Sequence, residues 1–72
     1  MNIRVEEREV VRLSKRFQIT EGFVRTILDD VEDHFDDGYS KLQVSNYLVY
    51  EYNVYLRTAN VFIDTFMTIK KS

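Results

Sequence analysis

Between Asp29 and Asp37 the chain sets six carboxylates, Asp29, Asp30, Glu32, Asp33, Asp36 and Asp37, around its single imidazole, His34, with no basic side chain among them. Steps of three and four residues put His34 on one helix side with Asp30, Asp33 and Asp37, a spacing compatible with metal ligation. Hard carboxylates around one imidazole describe an acidic helix equally well, and no metal is expected. A calcium loop starting at Asp33 fails on two counts: Phe35 stands where an oxygen ligand belongs, and Val44 where the closing Glu is required. Paired acid and base catalysis needs an apolar pocket that splits two carboxyl pKa values, and no such pocket is marked. With one His, no Cys, no Trp and two Gly, the chain lacks the groups for a nucleophile, a base and an oxyanion hole together. It reads as a binding protein without a cofactor, not as an enzyme. Two uses of the acidic run remain: a solvated helix face, or a surface that imitates the charge of DNA.

The opposite charge lies upstream. Residues 1–28 carry six basic and four acidic side chains, residues 29–37 six acidic and none basic, and residues 38–72 four basic and two acidic. A net charge of -2 therefore hides a local negative field flanked by two mildly positive segments.

Residues of either sign act only where elements hold them. Val5, Val10, Val11, Leu13 and Phe17, with charges between them, predict an amphipathic helix over 5–17 with Val10, Leu13 and Phe17 on its inner face. Glu6, Glu7 and Glu9 come early and Lys15 and Arg16 late, the order a helix dipole favours. Gln18-Ile19-Thr20 interrupts the pattern, and Thr20 is placed to cap a second helix over 21–35, on which Phe23, Val24, Ile27, Leu28, Val31 and Phe35 recur at helical steps. Gly38 suits the left-handed residue that commonly follows a helix.

From Tyr39 onward two periodicities compete. Leu48, Tyr52, Tyr55, Ala59, Phe62, Phe66 and Ile69 alternate steps of four and three, with Asn46, Asn53 and Asn60 seven apart, whereas seven of the eight even positions from Leu42 to Leu56 are apolar, as in a strand. A fifteen-residue strand is out of scale with strands of about five or six residues, so a helical region is predicted, continuous or broken near Asn53 or between Arg57 and Asn60. Its seam is expected to cover the first two helices at one end and to associate with a second copy at the other, through Leu48, Tyr52, Tyr55, Ala59, Phe62, Phe66 and Ile69. The aromatic run also resembles a base-stacking surface for single strands, but basic residues are not interleaved with it, which favours packing.

The stretch from Val10 to Leu28 holds the informative spacing. Two helices crossing steeply need apolar residues at Leu13, Phe17, Ile19, Val24 and Ile27 and a small residue, Ser14, at their closest approach. Here the sequence resembles the helix-turn-helix of prokaryotic and phage transcription regulators, over about 19 residues; Gln18 stands where that family usually has Gly. The resemblance implies a recognition helix from Glu21, with Thr20, Glu21, Gly22, Arg25 and Thr26 facing a DNA groove and Arg12, Lys15 and Arg16 near phosphates. Among the groove-facing residues Arg25 alone suits bidentate contact with guanine. By size and charge the chain is also similar to phage antirepressors and modulators of repression, which implies that Asp29, Asp30, Glu32, Asp33, Asp36 and Asp37 would engage a basic repressor or another DNA-binding protein.

Seventy-two residues hold one small core, so a single domain is expected over 1–72, with a helix-turn-helix pair over 5–36 and a C-terminal helical region over 39–70. Without cysteine, stability must come from that core or from a partner subunit. The N-terminus has no apolar leader segment and no window approaches the roughly 18 apolar residues of a membrane span, so a cytoplasmic, all-α protein is expected. The leading functional expectation is operator binding as a homodimer. Regulation through protein contact comes second, and a small virion assembly protein is a third reading.

Overall fold

The computed structural model describes residues 3–72, which form four helices: α1 (Ile3–Phe17), α2 (Glu21–Asp36), α3 (Lys41–Tyr52) and α4 (Leu56–Lys71). Among the described residues no strand occurs, so the alternation through 42–56 is not a sheet signal. Six of its eight even positions belong to α3, whose Val44 and Leu48 are buried while Leu42 and Tyr50 stay exposed.

Local chemistry ends each helix where it ends. After Phe17 the backbone of Gln18 turns left-handed, with φ 56°. The Ile19 N–H then donates to the Ser14 carbonyl at 3.1 Å, and the Ser14 hydroxyl donates to the Ile19 carbonyl at 2.5 Å. Ser14 is thus the latch of the turn as well as a small residue at a crossing. Thr20 caps α2, its hydroxyl accepting from the Phe23 N–H at 3.1 Å. Gly38, at φ 89°, closes α2 by donating to the Phe35 carbonyl, while Tyr39 donates to that of His34. Ser40 and Gln43 cap α3 reciprocally. Asn53, at φ 55°, then breaks the C-terminal region, and α4 folds back from it. That break was one of two expected arrangements.

The four helices are two equivalent pairs. Among the described residues Gln18 and Asn53 are the two non-glycine residues with positive φ, and they lie 35 residues apart. The same offset carries α2 onto α4, each of 16 residues, and the cap Thr20 (φ −69°, ψ 154°) onto Tyr55 (φ −69°, ψ 153°). It also carries Leu13, Val24, Ile27, Leu28 and Val31 onto Leu48, Ala59, Phe62, Ile63 and Phe66, all ten of them buried. Helix contacts obey the same exchange: α2 packs on α4, α1 touches α4, α3 touches α2, and α1 and α3 do not meet. One hydrogen bond between the pairs also has its counterpart. Arg12 Nη2 donates to Thr65 Oγ1 at 3.3 Å, and at the equivalent positions Tyr47 Oη donates to Asp30 Oδ2 at 3.4 Å. Reciprocal contacts of this kind are those of two units about an approximate two-fold axis, here within one chain.

This arrangement explains the core. Each pair of helices has an apolar stripe it cannot bury alone, and facing the other pair buries both in one cluster that runs from Val10 to Ile69. Leu13, Val24 and Ile27 are buried there, with Phe17 and Ile19 packed against them, so the five residues of the first corner converge as their spacing predicts.

Candidate functional site

The first turns of α2 and α4, and the two left-handed turns before them, lie side by side. Between them is a cleft of about 250 Å³ to which the first corner contributes Phe17, Ile19, Phe23 and Ile27, and the second Asn53, Val54, Tyr55, Thr58 and Phe62. Phe17 stacks on Phe62, ring centroids 5.5 Å apart, and Phe23 meets Tyr52 edge-on at 5.6 Å. A neighbouring cleft of about 250 Å³ shares Phe17, Tyr55 and Thr58 and is bounded by Arg16 and Arg57. Arg16 also lies over the Phe17 ring at 5.2 Å. No carboxylate lies within ion-pair distance of Arg16 or Arg57 among the described residues.

The sequence-predicted groove residues separate into three groups. Thr20, Glu21, Gly22, Arg25 and Thr26 are exposed on the first turns of α2, and Lys15 and Arg16 are exposed at the end of α1. Two of these hydroxyls have local work: Thr20 caps the helix and Thr26 donates to the Gly22 carbonyl at 3.0 Å. Arg12 is held elsewhere. Its guanidinium pairs with Glu9 at 2.8 Å and reaches Thr65 on α4, so it spans α1 and α4 at the surface, its side chain 47% exposed. The hydrogen bond from Arg12 holds the Glu9 carboxyl below its ordinary value, against a smaller opposing effect of burial.

The acidic candidates also divide. Asp29, Asp33, Asp36 and Asp37 are exposed, and the first three follow Gly22, Arg25 and Thr26 at helical steps along one outer face of α2. Glu32 is half-buried. Asp30 points inward and accepts hydrogen bonds from the hydroxyls of Tyr52 and Tyr47 on α3. Burial first, then the carboxylate of Asp30, pushes both phenols above their ordinary value of 10. Next to them His34 Nδ1–H donates to the Asp30 carbonyl at 2.7 Å, and its ring lies 3.9 Å from that of Tyr47 and 5.0 Å from that of Tyr39. Asp30 and His34 are thereby joints between α2 and α3. Among the described residues no group of three or more such side chains is placed to hold a metal ion.

The predicted association surface requires correction. Leu48, Ala59, Phe62, Phe66 and Ile69 are core residues, at most 4% exposed, and Tyr52 is half-buried against Asp30 and Phe23. Of that set Tyr55 alone is open, at 81%. The physical reason is the turn at Asn53: a continuous rod would have carried the seam outward, whereas the reversal folds it onto the first two helices. What sequence reasoning missed is the second corner itself, with Tyr55, Leu56 and Arg57 exposed at its helix start and Asn60 half-buried one turn on. Its signal was present as the 35-residue recurrence of Leu13, Phe17, Gln18, Ile19, Val24 and Ile27 in Leu48, Tyr52, Asn53, Val54, Ala59 and Phe62.

Among the described residues no helix is long and apolar enough to cross a membrane. No protein-family model, curated protein or solved structure matches the chain.

Proposed function

We propose that the protein is a small transcription regulator, of the kind found in bacteria and phages, that holds duplex DNA through a helix-turn-helix corner. The observation that carries this reading is the left-handed residue between two paired helices, Gln18 between Leu13 and Val24. It leaves the next helix with its apolar side in the core and its first turns open to solvent. A helix so presented fits a major groove, while exposed Lys15 and Arg16 beside it supply the phosphate contacts that dominate affinity. A homodimer would need a surface other than the predicted seam, and Leu42 and Tyr50 on α3 are among the large apolar side chains left open.

A second reading is favoured by one specific feature. Asp29, Asp33 and Asp36 continue the outer face of α2 beyond Arg25, and carboxylates there repel a DNA backbone but match a basic protein surface. On that reading the chain occupies a repressor's DNA-binding surface. A gel shift on the promoter DNA flanking its own gene, with and without the neighbouring regulator, separates the two. Operator binding yields a shift by this protein alone that falls steeply with salt. A protein-binding modulator yields no shift alone and removes the shift caused by the other regulator.

A further inference from the structure

The two corners share a backbone but not a surface, and the difference bears on which of them meets DNA. On α2 the six acids Glu21, Asp29, Asp30, Glu32, Asp33 and Asp36 face a single base, Arg25. On α4 the one acid, Asp64, is paired with Lys41 at 3.1 Å, and the bases are Arg57, Lys70 and Lys71. At the start of α4 stand Arg57 and, three residues on, Asn60, the side-chain types suited to bidentate contact with guanine and adenine. Arg16 arrives from α1 at the same place, lining one cleft with Arg57. The equivalents of Arg57 and Asn60 on α2 are Gly22 and Arg25; Asp29 at the next turn matches Asp64, but Asp33 and Asp36 beyond it match Thr68 and Lys71 on α4.

We propose that the groove-reading corner is α3–α4 rather than α1–α2, with the first two turns of α4 in the major groove. Arg57 and Asn60 lie at base edges and Arg16 lies on a backbone phosphate. This rests on the DNA-binding reading above and names the surface that performs it. The acidic outer face of α2 then has no part in the groove, which removes the electrostatic objection to that reading. Size adds a constraint. The chain measures 28 × 25 × 17 Å, less than the roughly 34 Å between successive major-groove sites, so a single chain covers one half-site with one corner.

The test is fluorescence anisotropy with a labelled duplex drawn from the flanking promoter, over a salt series, on the full chain and on Arg57→Ala, Asn60→Ala and Arg25→Ala. Arg57 and Arg25 are both exposed, so Arg57→Ala and Arg25→Ala are expected to keep the wild-type circular dichroism spectrum and melting curve, and the melting curve of Asn60→Ala, where the side chain is half-buried, is read beside its binding. Arg57→Ala is expected to weaken binding about ten-fold or more. Asn60→Ala is expected to relax base preference in a selection from a random duplex library, and Arg25→Ala to change affinity less than about two-fold. Loss on Arg25→Ala with Arg57→Ala unaffected, or equal loss on both, overturns the assignment to α4 while leaving DNA binding in place. Absence of duplex binding by the wild-type chain at every salt concentration overturns both.

Discussion

The corner at Gln18 and the corner at Asn53 are the same piece of backbone made twice. Both end a helix with one left-handed residue, set an apolar residue next (Ile19, Val54), start a 16-residue helix from an extended cap, and bury the residues at the equivalent interior positions. They differ at most positions that face water, the equivalent exposed pair Asp29 and Asp64 being an exception. The first has a side-chain cap in Thr20 and an acidic helix behind it; the second begins at Tyr55 without a side-chain cap and carries bases. The comparison teaches that burial and turn geometry constrain the inner positions of both halves alike, because each half supplies the other's core, while outer positions are free to diverge. Shared inner chemistry is therefore evidence about fold, and divergent outer chemistry is where function is to be sought.

The largest expected effect tests the equivalence of the cores. Leu13→Ala and Leu48→Ala remove matching side chains that are 0% and 1% exposed, and each is expected to cost about 2–5 kcal/mol in urea denaturation. If one is nearly silent, the two halves are not energetic equivalents.

An intermediate effect marks a place where the halves differ. Asp30 ties α2 to α3 through Tyr52 and Tyr47, while the equivalent bond on the other side runs from Arg12 to uncharged Thr65. Tyr52→Phe is expected to destabilise by about 1 kcal/mol, the upper figures for bonds to charged groups being reduced by partial solvation. The same joint sets an alkaline limit. Folding raises both phenol pKa values, so their stabilising contribution is fully present below the ordinary value of 10 and is lost as pH rises from there toward the folded values. A phenolate absorbance titration should show two of the five tyrosines ionising later in the folded chain than in urea, and Tyr52→Phe should remove one of them.

The smallest effect concerns the turns. A non-glycine residue in the left-handed region costs about 1–2 kcal/mol, and Asn bears it better than Gln. Gln18→Gly is expected to stabilise by roughly 0.5 kcal/mol after the added freedom of the unfolded chain is subtracted, and Asn53→Gly to be close to neutral. Thermal melts of both variants read this directly, and a larger gain at Asn53 would reverse the order.

Much of the first half was legible because its signals are local. Thr20 and Gly38 announce helix boundaries through their own backbone and hydroxyl chemistry, and the convergence of Leu13, Phe17, Ile19, Val24 and Ile27 follows from helical spacing alone. The second half was less legible. Tyr and β-branched residues serve strands and helices equally, and Asn53 punctuates more weakly than Gly or Pro. Among candidate site residues Arg25, Lys15, Arg16 and Arg12 are exposed, but Arg12 and half-buried Asp30 also carry bonds the reading did not include. Both side chains reach across to another helix, and no spacing within one helix encodes that reach.

The sequence by itself determined where helices start, which sides of them are apolar, and that one corner lies at Gln18, since these depend on interactions within a few residues. Only the tertiary structure decided that the C-terminal seam turns inward, that Asp30 and Arg12 fasten one helix to another, and that a second corner faces the first. Each of those depends on which apolar stripe meets which, and that pairing is settled when the two halves bury against one another and the turn at Asn53 reverses the chain.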